Sequence, residues 1–307
     1  MFTNCIPICA TLCSEVAMPA PDAHTLYDTL IFELTKAFAL PQTRGARRII
    51  ETLFGKTARY ASELGLGLDR EVAAGGISRG ARWLLPSFVK SHAARGEENI
   101  PPEGPLVIAS NHPAGVDSVV ISAHVTRPDY KVIIGDIPFF ENLPHVSEHA
   151  IYAPEDNDIH GRMRAVREAL RHLQAGGALL IFARGGIEAD PDFMPNPDGE
   201  FDHWSRSLEI FLARVPQTRV LTTIVSGVIA RASMRNPLTY LRRARPDRQR
   251  IAFLTQLARQ IMSGRELFGL TPRVTFGEVI AGAQEHVLGQ VTDAARRVLR
   301  QHMEWKV

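Results

Sequence analysis

Cysteine is scarce in this 307-residue chain, and Cys5, Cys9 and Cys13 are the only three. An odd count confined to the N-terminal end argues against a disulfide framework and fits a reducing compartment. Their i, i+4 spacing can set them on one helical face, but no His lies nearby to complete a metal site, so they read as incidental residues. Long apolar runs are also missing, and none approaches the roughly 18 residues of a membrane-crossing helix. A secretory leader is not expected, because the start lacks a basic n-region and Pro7 and Glu15 interrupt its short apolar stretch. The formal net charge is only +2, so the molecule as a whole does not advertise a nucleic-acid partner. Internal repeats and low-complexity segments are absent as well.

What is present is the composition of a folded protein with a substantial core, 45% hydrophobic and 22% charged. The length suits one large domain or a domain with an appended subdomain. Charge is uneven. Between Arg219 and Arg250 the chain carries Arg231, Arg235, Arg242, Arg243, Arg245 and Arg248 with only Asp247 opposing them. That excess suits anionic headgroups, a nucleotide-bearing cofactor or an acidic carrier protein.

Three regions follow from the patterning. Residues 1–21 read as a mobile terminus. Residues 22–97 read as helical, forming a cap or a membrane-docking region. Leu30, Phe32, Leu34 and Phe38 are followed by Ile49, Ile50, Leu53 and Phe54, interleaved with Arg44, Arg47, Arg48 and Lys56. Around 79–92, Trp83, Leu84, Leu85 and Phe88 lie beside Arg82 and Lys90. Each series suits either an interfacial helix or a helix packed on the core with a solvated basic face. Residues 93–105, rich in Gly and Pro, read as a linker. Residues 98–307 then alternate strands (106–109, 130–134, 178–182, 220–226, 273–279) with helices (118–125, 159–174, 204–213, 251–262, 284–302). This predicts an α/β domain with a mainly parallel sheet flanked by helices.

The segment Asn111-His112-Pro113-Ala114-Gly115-Val116-Asp117 lies where the first of these buried strands gives way to a loop and a helix. An imaginary proton path is short there: His112 can accept a proton from an alcohol, while Asp117 holds the opposite ring nitrogen and stabilises the imidazolium. Pro113 restricts the backbone and Gly115 permits a tight return. The spacing also fits a plain turn with Asp117 as a helix N-cap.

This segment resembles the His-x4-Asp motif of the glycerolipid acyltransferases, which acylate lysophosphatidate and glycerol phosphate. Further blocks stand in the expected order. Ile137-Pro138-Phe139-Phe140 looks like the second block, and Glu155-Asp156-Asn157 leads from it into a helix. Ile181-Phe182-Ala183-Arg184-Gly185-Gly186 sits where that family has Phe-Pro-Glu-Gly-Thr-Arg, and the apolar strand at 220–225 is similar to the fourth block. The resemblance spans about residues 98–280. It implies an O-acyltransferase that moves a fatty acyl group from a thioester, on coenzyme A or acyl carrier protein, to a hydroxyl of a lipid or lipid precursor. The thioester is a co-substrate and no resident cofactor or metal is implied. His112 and Asp117 would be catalytic, with Asn111, Gly115, Arg184, Gly185 and Gly186 at the substrate. The expected location is the cytoplasmic face of a membrane, in peripheral contact with it.

Departures from the family pattern are specific. Arg184 stands in place of the motif Glu and Ile187 in place of the motif Arg, while Pro154 and Glu155 occupy the neighbourhood of the second block's phosphate-contacting Arg. Arg184 can bind an acceptor phosphate, with Gly185 and Gly186 allowing close backbone approach, or it can pair with Glu188 or Asp190. A shifted loop that gives Glu188 the motif Glu's role is the less favoured option. The altered third block also motivates a different class, an inactive lipid- or acyl-binding protein, and a thioester hydrolase is a third reading. His145, Glu148, His149 and His160 read as a surface loop rather than a metal site. Asp190, Asp192, Asp198 and Asp202 read as solvated turn residues, and Phe201 and Trp204 as core before acyl groove.

Overall fold

The computed structural model describes residues 22–37, 40–154, 158–204, 207–282 and 286–305. The three cysteines and the acidic segment 155–157 lie outside the described residues. In chain order the elements are α1 (Ala23–Ala37), α2 (Arg44–Leu84), β1 (Ala93–Arg95), β2 (Leu106–Ser110), α3 (Asp117–Ser122), β3 (Tyr130–Gly135), α4 (Pro138–Glu141), α5 (Pro144–Glu148) and β4 (Ala150–Ala153). They continue with α6 (Ile159–Gln174), β5 (Ala178–Phe182), α7 (Ser207–Arg214), β6 (Arg219–Ser226), α8 (Arg231–Met234), α9 (Arg245–Ser263), β7 (Arg273–Ala281) and α10 (Val287–Glu304).

The strands form one sheet in the order β1-β7-β6-β2-β5-β3-β4. It is parallel except between β6 and β7, so β1 and β7 run opposite to the other five. Side chains alternate across a strand, and here both faces are covered. Leu106 and Ile108 of β2 join one core cluster with Val120, Ile121 and Ala252. Val107 and Ala109 join the other, with Ala169, Leu173, Phe211 and Val291. That is why β2 reads as a continuous apolar run rather than an alternating one. Each fully buried Leu or Ile stabilises the fold by roughly 1.5–3 kcal/mol, so the central strands hold their register firmly. In that register Ser110 lies opposite both Phe182 and Thr223. The carboxyl ends of β2 and β5 are therefore level, β6 beside β2 runs three residues further to Ser226, and their loops meet at one edge.

Two strands were not legible in the sequence. β1 falls inside the stretch that reads as a linker, and β4 is a short edge strand. Both are held by pairing, β1 with β7 and β4 with β3, so long-range hydrogen bonds rather than local pattern define them.

The N-terminal helices pack on this body. Ile31 of α1 meets Ile50 and Ala58 of α2, and Leu68 and Val72 further along α2 pack with Leu143 and Val146. Helical geometry in α2 breaks at Gly75–Gly76, where Gly76 has φ of +77°, a conformation that favours glycine. In the series around 79–92, Leu85 and Phe88 turn into the core, whereas Trp83 stays 38% exposed. Ile49 and Leu53 instead remain exposed on α2 beside Arg44, Arg48 and Lys56. Among the described residues no helix is long and apolar enough to cross a membrane.

Candidate active site

The loop leaving β2 is held by its first residue. Asn111 Nδ2 donates to the Val225 carbonyl at 2.9 Å, and the Val225 N–H donates to Asn111 Oδ1 at 2.8 Å. The side-chain amide thus extends the β2–β6 ladder beyond the last backbone pair. Asn111 is buried and braces the loop.

His112 follows. Its Nδ1 lies 2.8 Å from Asp117 Oδ2, and its ring stacks on Phe182 at a centroid distance of 4.1 Å. Asp117 is fully buried and also accepts from the N–H groups of Ala114 (3.0 Å) and Ser118 (2.8 Å). An acceptor so fixed places the proton on His112 Nδ1 and leaves Nε2 as the basic nitrogen. The His112 side chain keeps 24% of its surface exposed, enough for a substrate atom to reach it. Burial by itself lowers the basicity of the ring. The charge of Asp117, its hydrogen bond and then the charge of Glu188 outweigh that loss and the opposing charge of Arg250, so the His112 pKa sits above its ordinary 6.5.

Glu188 is the residue that sequence reasoning undervalued. Its buried carboxylate accepts from the His112 N–H at 2.7 Å and from Trp204 Nε1–H at 2.9 Å. The Glu188 N–H donates to the His112 carbonyl at 2.8 Å, so both peptide groups of the histidine are gripped by one residue. Burial pushes the Glu188 carboxyl up to about 7, against the lowering pull of these hydrogen bonds. The loop after β5 thus brings Glu188, rather than Arg184, against the His112 backbone. No pairing signal in the sequence marks it, because the turn at Gly185, with φ of +74°, decides which side chain returns toward His112.

Residues 92–210 match a family model described as Acyltransferase. The matched span contains His112, Asp117, Phe182 and Glu188. No curated protein matches the chain. Among solved structures it is similar to the 1-acyl-sn-glycerophosphate (LPA) acyltransferase PlsC from Thermotoga maritima, at 15% sequence identity and a TM-score of 0.47, over 93% of this chain and 95% of that one.

One wall of the site comes from α9, which lies beyond the matched span. Gln249 Nε2 donates to the carbonyls of Pro113 and Glu188, both at 2.6 Å, and Gln249 Oε1 accepts from Arg245 at 2.8 Å. The glutamine is fully buried and joins the two loops that carry His112 and Glu188. Phe253 lies against Gly115, where an added Cβ would stand 2.7 Å from the ring. A side chain at Gly115 would therefore press on the Phe253 ring of α9.

Arg184 forms an ion pair with Glu200, which also binds Arg245. Its partner is neither Glu188 nor Asp190, and a guanidinium so engaged is a poor choice for an acceptor phosphate. Gly185 and Gly186 both border open space, so their backbone is approachable. Asp190 is not solvated. It is fully buried and accepts from the N–H groups of Gly227 (2.9 Å) and Val228 (3.1 Å), tying the β5 loop to the β6 loop. Burial pushes its carboxyl up to about 6. His145 pairs with Asp69, and His149 Nδ1 lies 2.7 Å from the Tyr130 carbonyl. Among the described residues no group of His, Cys, Asp and Glu is arranged to hold a metal. Phe201 and Trp204 belong to the core.

Proposed function

We propose that this protein is an acyltransferase, moving a fatty acyl group from an acyl thioester, on coenzyme A or acyl carrier protein, to a hydroxyl of a glycerolipid precursor at the inner face of a membrane. The observation that carries the reading is the 2.8 Å contact between His112 Nδ1 and Asp117, which leaves Nε2 to act as a general base beside accessible backbone. Nε2 takes the proton of the acceptor hydroxyl as its oxygen attacks the thioester carbonyl. The tetrahedral intermediate collapses with cleavage of the C–S bond, and the imidazolium returns the proton to the departing thiolate. Asp117 stabilises the imidazolium between these steps. A thioester is activated enough that no enzyme nucleophile is needed. Gly185 and Gly186 support close approach of the substrate. With Arg184 engaged by Glu200, Arg250 is the cation whose charge acts at the His112 ring, and it suits an acceptor phosphate.

The test is acyl transfer with acyl-coenzyme A and acyl carrier donors against lysophosphatidate, glycerol phosphate and uncharged alcohol acceptors, read by lipid mass spectrometry. Replacing His112 by Ala should reduce kcat by at least about 10²–10⁴-fold, the usual contribution of general-base catalysis. Undiminished turnover in His112→Ala would refute the mechanism. Release of free fatty acid without acylated product would instead assign a thioester hydrolase, and saturable acyl binding without turnover an inactive binding protein.

A further inference from the structure

Beyond the active site, one surface element combines features that nothing in the catalytic geometry uses. The short 3-10 helix Pro237–Leu241 joins α8 to α9. Its buried residue, Thr239, anchors it by donating to the carbonyls of Met234 (3.1 Å) and Asn236 (2.7 Å). Asn236 also caps the turn by accepting from the Leu238 N–H at 3.0 Å. With Thr239 turned inward, its neighbours are forced out. Leu238, Tyr240 and Leu241 are 51%, 66% and 76% exposed. The Arg248 guanidinium lies over the Tyr240 ring at 4.9 Å, which holds that ring in place. Three large apolar side chains at the tip of a well-anchored turn are a poor arrangement for contact with water alone.

The flanking charge says what covers them. Arg235 precedes the turn and Arg242 and Arg243 follow it, all exposed. Their guanidinium groups take part in none of the ion pairs among the described residues. No acidic residue lies between Arg235 and Asp247. α9 carries the pattern onward, with exposed Leu254 and Met262 near exposed Arg250 and Arg259. Leucines with a tyrosine among uncompensated arginines match the layered chemistry of an anionic bilayer: acyl chains for the leucines, the carbonyl region for the phenol, and phosphates for the guanidinium groups.

We propose that Pro237–Leu241 with Arg235, Arg242 and Arg243 is a membrane-docking element for anionic lipid, separate from the exposed basic face of α2. The proposal deepens the reading of a membrane-borne acceptor and rests on it for its purpose. The same helix that follows the turn reaches the catalytic loop through Gln249 and Phe253. Docking here therefore fixes the active site near the surface from which an acceptor would come.

The experiment is co-sedimentation of the full chain with vesicles of phosphatidylcholine alone and of phosphatidylcholine with phosphatidylglycerol, at low and high salt. Each exposed arginine near an anionic surface is worth about fivefold in affinity, so Arg235→Gln with Arg242→Gln and Arg243→Gln should weaken binding on the order of a hundredfold. Leu238→Ser with Leu241→Ser should weaken it on the order of tenfold or more. Both variants should keep the wild-type thermal midpoint, because the altered side chains are exposed. The proposal is overturned by wild-type vesicle affinity in both variants or by equal wild-type binding to neutral and anionic vesicles. It is also overturned if both variants still bind vesicles but lose saturable binding of an acyl carrier protein, which would make the patch a carrier-docking site. Vesicle binding is read without turnover. A chain that docks through this turn yet transfers no acyl group sinks the catalytic reading alone, and a transferase that ignores vesicles sinks this one alone.

Discussion

Replacing Glu188 by Gln tests whether the grip on His112 matters to catalysis. The carboxylate accepts from two N–H groups, His112 at 2.7 Å and Trp204 Nε1 at 2.9 Å. A glutamine offers its oxygen to one of them and must turn its NH₂ toward the other. One hydrogen bond is lost and the survivor is no longer charge-assisted. With roughly 1.5–3 kcal/mol for a bond to a charged group and 0.5–1.5 for a neutral one, the pair weakens by about 2.5–4.5 kcal/mol. A displacement of the His112 backbone near 1 Å corresponds to a rate loss on the order of 10²-fold. The charge has a second effect. Glu188 raises the His112 pKa, and general-base activity requires the neutral ring, so activity climbs as pH rises through that pKa. Removing the charge lowers the His112 pKa and moves the acid limb of kcat/KM to lower pH. The assay is a pH profile from about 5 to 9, with kcat compared at pH 8, above the value of about 7 to which burial pushes Glu188. We expect kcat at pH 8 to fall about 10–100-fold while the limb shifts acidward. A variant that loses thermal stability but keeps both kcat and the position of the limb would refute the argument, since only a structural role behaves that way.

Gly115→Ala places a Cβ 2.7 Å from the Phe253 ring, and overpacking of this kind destabilises by about 1–3 kcal/mol. Thermal denaturation should show a lower midpoint, with activity falling as the loop moves, and adding Phe253→Leu should recover much of both. Additive losses in the double variant would count against the contact. His302 is buried between Ser226 and Thr275, and desolvation, with a smaller push from Arg273, depresses its pKa to about 3. Its unfolded value is 6.5, so protons favour the unfolded chain and stability is lost as pH falls from about 6.5 toward 3, by up to roughly 5 kcal/mol. Glu188 acts in the opposite sense, because its raised pKa lets stability fall as pH rises from 4.5 to about 7. Urea titrations at a series of pH values should therefore show a flatter acid limb in His302→Gln than in the wild type, and an unchanged limb would disprove the assignment.

Much of this fold could be read along the chain because the responsible forces are local. The strands at 106–110, 130–135, 178–182, 219–226 and 273–281 are apolar runs, and the helix at 159–174 repeats its apolar residues at helical spacing. β1 and β4 escaped notice because three or four residues carry too little pattern, and only pairing with β7 and β3 makes them strands. The antiparallel join of β6 to β7 was equally hidden, since strand direction depends on the path between elements.

At the site, the divide is between neighbours in sequence and neighbours in space. His112 and Asp117 are five residues apart, so the turn chemistry of Pro113 and Gly115 was enough to suggest their contact. The sequence by itself determined the α/β class and the His112–Asp117 contact, because periodicity and short-range spacing encode both. Only the tertiary structure decided the rest. It tied Asn111 to β6, bound Arg184 to Glu200, and brought Glu188 onto His112 from 76 residues away and Gln249 onto Pro113 from 136. Such contacts depend on which strands lie side by side and which backbone turns at Gly185. A linear pattern does not carry that information.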